Sequence, residues 1–77
     1  MEINEFVRNF SDQLDDTDVS TVTADTKFRD IEEWDSLTSL SIIAMVDEEY
    51  GAKLTGEDFR QSETINDLFN LVKSRTN

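Results

Sequence analysis

Seventy-seven residues, 36% of them hydrophobic, make a single domain with a thin core, and a net charge of −11 sets the chain against phosphate backbones and anionic lipid surfaces. Cysteine and histidine are both absent, which excludes disulfides, thiolate chemistry, metal sites built on those ligands and a Ser–His hydrolase. The longest apolar run, IIAMV, cannot span a bilayer, and MEINEFVRNF has neither the basic nor the apolar region of a signal peptide, so a cytoplasmic protein of one domain over residues 1–77 is expected.

Residues 1–14 predict a helix, because Ile3, Phe6, Val7, Phe10 and Leu14 recur on one apolar stripe. Asp15 and Asp16 oppose the negative end of its dipole and predict its stop. Residues 15–35 show no sustained period. Thr, Ser and Asp dominate there and favour turns over helix, with Phe28 and Ile31 expected to tuck the segment onto the core. A loop of that length in so small a domain points to a framing role. The acids of DQLDDTD lack the glycine and terminal glutamate of a calcium loop at the required spacing, so no metal site is expected.

A second helix should begin at Asp35 or Ser36 and stop at Gly51, with Asp35 as N-cap and Gly51 as the left-handed terminator. Thr55 and Asp58 have capping-box spacing and Leu54 can staple to Phe59, which predicts a short helix of one or two turns. Thr64 and Asp67 repeat the box before a last helix with Ile65, Leu68, Phe69 and Val72 on its stripe. Lys73 and Arg75 suit its C-terminal end. The expected fold is all-α: three main helices and one short one in a four-helix bundle, with a long first loop.

The second helix has two partly apolar sides. Ile42, Ile43, Val46 and Tyr50, with Ser39 near them, predict the core face. Leu37, Ser41, Ala44 and Glu48 stand on the opposite side, with Met45 between the two. Leu37, Ser41, Ala44, Met45 and Glu48 are therefore read as a surface for partners, with Asp35 and Asp47 on its rim. No basic residue occurs from Asp30 to Tyr50, so those partners should be basic. Ser36 taken alone is an ordinary helix-start residue.

The stretch DSLTSLSIIAMVDEEYG resembles the prosthetic-group segment of acyl carrier proteins and peptidyl carrier domains, whose hallmark Asp-Ser-Leu is matched by Asp35, Ser36 and Leu37. Helix order, the long first loop and acidity extend the resemblance over almost the whole chain. It implies a non-catalytic shuttle. A phosphopantetheinyl transferase would attach 4′-phosphopantetheine from coenzyme A to Ser36, and the arm's thiol would carry acyl or aminoacyl groups as thioesters. It implies as partners that transferase, a loading enzyme, and a synthase or transferase with a basic docking surface. A monomer that binds no nucleic acid and enters no membrane is expected. A fatty cargo would be expected to fold back against Ile42, Val46, Leu54, Ile65 and Leu68.

The chain departs from housekeeping fatty-acid carriers at several places. Trp34 stands where those carriers have a small residue, Thr38 and Ser41 stand where they are acidic, and KLTGED lacks a common proline. These departures favour a specialised pathway: polyketide, nonribosomal peptide, lipid-modification or surface-polysaccharide. The alternative is an unmodified acidic module that binds a partner, with Ser36 only a cap.

Overall fold

The structure is a computed structural model that describes residues 2–15 and 17–76. Four α-helices follow in order: α1 (Ile3–Ser11), α2 (Ser36–Tyr50), α3 (Gly56–Gln61) and α4 (Ile65–Arg75). Among the described residues there is no β-strand, only a bridge between Lys27 and Thr64. The all-α expectation is met.

α1 packs against both α2 and α4. Phe6 and Phe10 project from it into the core, where they are fully buried with Phe28, Ile42, Val46, Ile65, Leu68 and Val72. Removing these apolar side chains from water is the main stabilising term. α1 is shorter than its apolar stripe. Its last turn tightens, as Gln13 N–H bonds Phe10 O (3.1 Å) and Leu14 N–H bonds Ser11 O (3.0 Å). Leu14 nevertheless reaches the core. Asp16, half of the predicted stop signal, lies outside the described residues.

The caps form where the sequence placed them. Gly51 sits at φ 67°, the left-handed geometry that ends α2 without a Cβ penalty. Thr55–Asp58 and Thr64–Asp67 each form a reciprocal capping box. Leu54 and Phe59 are both buried in the same cluster. Arg75 does more than face its helix dipole. Its guanidinium makes a two-pronged pair with Asp58 (2.6 and 2.9 Å) and donates to Lys53 O (2.8 Å). The end of α4 is thereby tied to the start of α3.

The first loop is ordered by polar ties and by one aromatic anchor. It contains two 3-10 turns, Val19–Thr21 and Phe28–Asp30. Glu33 accepts bonds from Asp15 N–H (3.0 Å) and Thr17 N–H (2.8 Å), which clasps the two ends of the loop together. Phe28 is fully buried and Ile31 packs on the core, as expected.

Candidate functional site

Ser36 is the first residue of α2, and Asp35 caps the helix. One Asp35 carboxylate oxygen accepts from both Thr38 N–H (2.8 Å) and Thr38 Oγ1 (3.0 Å). The backbone bond, then the hydroxyl bond, hold the Asp35 carboxyl below its ordinary value, so it stays ionised. Thr38 Oγ1 also reaches Glu33 O at 3.2 Å, which fixes the entry of the loop into the helix.

The Ser36 residue is exposed. Among the described residues nothing hydrogen-bonds its hydroxyl, so the hydroxyl is open to an incoming reagent. The chain has no histidine, and among the described residues no side chain hydrogen-bonds that hydroxyl to serve as the base of a catalytic nucleophile. The arrangement offers an oxygen for another protein to modify.

Two clefts that share Trp34 and Asp35 lie at the start of α2, and they differ in charge; Ser36 lines the first and not the second. One, of about 360 Å³, is floored by Phe28, Trp34 and Phe59 and rimmed by Arg29 and Arg60. The other runs past Asp35, Leu37, Thr38 and Ser41 to Asp15, Glu32 and Glu33, and no lysine or arginine lines it. A larger cleft of about 710 Å³ lies against the first loop, and Ser36 does not line it.

Trp34 organises the aromatic floor. Its ring stacks on Phe10 (centroids 5.9 Å apart, planes within 3°) and meets Phe28 at 5.0 Å and Phe59 at 5.7 Å. Such pairs add to simple burial. The residues expected to line a cargo path, Ile42, Val46, Leu54, Ile65 and Leu68, are all buried in the core. The cleft beside Ser36 is built from other residues. Sequence reading missed it because Arg29, Trp34 and Phe59 share no period and meet only through the fold.

The outward side of α2 presents Leu37, Ser41, Ala44, Asp47 and Glu48, all exposed. Met45 corrects the expectation. It is only 6% exposed and belongs to the core cluster, where a long, flexible, unbranched side chain can fill space from the edge of a helix face. Leu40 takes its place outside. Leu37 and Leu40 are 72% and 59% exposed, the two large apolar side chains that α2 leaves in solvent. The spacing held the signal, since Leu40 falls three residues after Leu37 and four before Ala44.

A family model described as the phosphopantetheine attachment site matches residues 4–72. The chain belongs to this family of acyl and peptidyl carrier proteins, whose domains carry 4′-phosphopantetheine covalently. No curated protein matches it.

Proposed function

We propose that the chain is a freestanding, non-catalytic carrier modified at Ser36, shuttling acyl or aminoacyl thioesters between enzymes of a specialised pathway. The observation that carries the reading is the exposed, unpartnered Ser36 hydroxyl at the start of a helix capped by Asp35, within the matched segment. A helix N-terminus also favours a phosphodiester there. When bound, the group supplies the thiol that the chain lacks.

The chain's own residues have clear parts. Ser36 Oγ is the acceptor of the phosphopantetheinyl group. Its proton passes to a base on the modifying transferase, since the chain has no histidine and, among the described residues, no side chain hydrogen-bonds the Ser36 hydroxyl. Leu37, beside the serine, offers that enzyme an apolar contact. Leu37, Leu40 and Ala44 then form a small apolar centre for later partners, and Asp35, Asp47 and Glu48 steer a basic surface toward it. The net charge suits a monomer that meets proteins and avoids nucleic acid, and the cytoplasm is the proposed location.

Trp34, Thr38 and Ser41 support the specialised pathway over primary fatty acid synthesis. Trp34 organises an aromatic floor, and Thr38 spends its side chain on the Asp35 cap rather than on a partner. Ser41 is exposed and uncharged where housekeeping carriers are acidic.

The test is intact mass after coexpression with a broadly tolerant phosphopantetheinyl transferase. One phosphopantetheinyl group should appear on the wild type and none on Ser36→Ala. An unmodified wild type would leave an acidic interaction module, with Ser36 only the first residue of a helix that Asp35 caps.

A further inference from the structure

Arg29 stands out among the cations. Arg60, Arg75 and Lys53 each pair with a carboxylate. Arg29 instead donates through Nη1 to Phe59 O (2.5 Å) and lies over the Phe28 ring, with Cζ 5.2 Å from the centroid. Both of those groups are neutral. Among the described residues no carboxylate pairs with it, in a chain of 18 acids and seven bases. The guanidinium is thus held in place with its charge uncompensated, and part of its donor fork is left unused.

This fixed charge rims the cleft that begins at Ser36. Arg60 joins it from α3, and among the described residues the only acid along the cleft is Asp35. The neighbouring cleft, which Ser36 does not line, carries Asp15, Glu32 and Glu33 as well as Asp35. An anion attached at Ser36 starts on the lining of the arginine-rimmed cleft and outside that of the acidic one. The phosphodiester is such an anion. It is drawn to the arginine side and repelled from the other. Beyond the phosphate the arm carries a pantoyl unit with two methyl groups, and the arginine side has the apolar floor to receive them.

We propose that the prosthetic arm rests in the cleft of Phe28, Arg29, Trp34, Phe59 and Arg60, its phosphodiester against Arg29 and its methyl groups over Trp34 and Phe59. The proposal rests on Ser36 being the attachment point. Arg29 is then a positioning residue, and the arm has a docked state from which a partner enzyme must lift it.

The test uses holo protein whose modification on Ser36 has first been established by mass and peptide mapping. That step alone decides the attachment point, so a failure there is separate from a failure of the docking proposal. Trp34 is the sole tryptophan, which makes its indole proton resonance unambiguous. In the wild type, conversion from apo to holo should shift the Trp34 indole and Arg29 Nε–H resonances. Cross-relaxation should appear between the pantoyl methyls and the Trp34 ring. Holo Arg29→Gln should lose that cross-relaxation, and holo Arg29→Lys should regain part of it. Should Arg29→Gln fail to fold, a salt titration of wild-type holo protein gives the same reading, with the cross-relaxation fading as the phosphodiester contact is screened. Holo protein that leaves Trp34 and Arg29 unshifted, or shifts residues of the acidic flank instead, overturns the proposal.

Discussion

α2 and α4 are both built on apolar periodicity, but they use their surfaces differently. α4 buries Ile65, Leu68, Phe69 and Val72, opens on a capping box and ends in an arginine that clamps α3. Its interactions are directed inward. α2 buries Ile42, Met45 and Val46 and leaves Leu37 and Leu40 outside, on a helix with no basic residue. Folding alone accounts for α4. It accounts for one side of α2, and the other side is what the bundle holds out to other proteins.

The widest gap between the two helices should come from a pair of leucine truncations. Leu68→Ala on α4 removes a fully buried side chain and should cost about 2–5 kcal/mol in denaturant unfolding. Leu40→Ala on α2 should change stability by no more than about 0.5 kcal/mol. It should, however, slow loading by the chain's own partner enzyme. Equal losses of stability from the two would erase the distinction.

Ser41→Glu sharpens the reading of the outer face. A housekeeping partner that expects a carboxylate there should gain a charged contact of about 1–3 kcal/mol, roughly ten- to a hundredfold in affinity. Loading of the holo variant by a housekeeping ketosynthase or transacylase should rise accordingly, while its dedicated partner weakens. A wild type already served as well as a housekeeping carrier would contradict the specialised-pathway proposal.

Arg75→Ala examines the inward ties of α4. The Arg75 side chain is 38% exposed and Asp58 is 13% exposed, so solvent screening limits the pair to about 1 kcal/mol. The bonds from Arg75, opposed in part by desolvation and aided by the Thr55 backbone, take the Asp58 carboxyl from 3.8 to about 2. A depressed carboxyl stabilises the fold above its ordinary value and loses that contribution as pH falls from about 4 to about 2. Arg75→Ala should therefore be less stable near neutral pH and show a shallower acid loss over that window, measured by unfolding at several pH values.

The smallest effect separates the two capping boxes from the α2 cap. Thr64→Ala should cost about 1 kcal/mol, because it frees the N–H of Asp67 and breaks the reciprocal box. Asp35→Ala should also lower thermal stability. The further readout for Asp35 is modification, which should slow if the cap holds Ser36 in the pose the transferase needs.

Much of this fold was legible because its signals are local. Asp35, Gly51, Thr55 and Thr64 declare helix ends through bonds to residues three or four positions away, and the stripe of α4 repeats at helical spacing. What escaped depends on contacts between distant segments. Glu33 clasping Asp15 and Thr17 leaves no trace in periodicity, and neither does Arg29 reaching Phe59 O. Met45 and Leu40 show a different limit. Both lie toward the edges of the helix's two faces, where side-chain length and the neighbouring helices decide burial more than angle does. At the site, Ser36 was legible by its flanking residues, while the charge difference between the two clefts needed the fold.

The bridge at Thr64 has a kinetic consequence. Thr64 starts α4 and also pairs with Lys27, while Ile65 N–H bonds Thr26 O, Asn66 N–H bonds Ala24 O and Phe28 N–H bonds Glu63 O. The first turn of α4 cannot fray without releasing the segment that carries Phe28 and Arg29. These amides should therefore exchange with solvent deuterium as one cooperative unit, at one common rate of opening. Whatever loosens the foot of α4 also unmakes one wall beside the serine, so the protein keeps or loses that wall all at once.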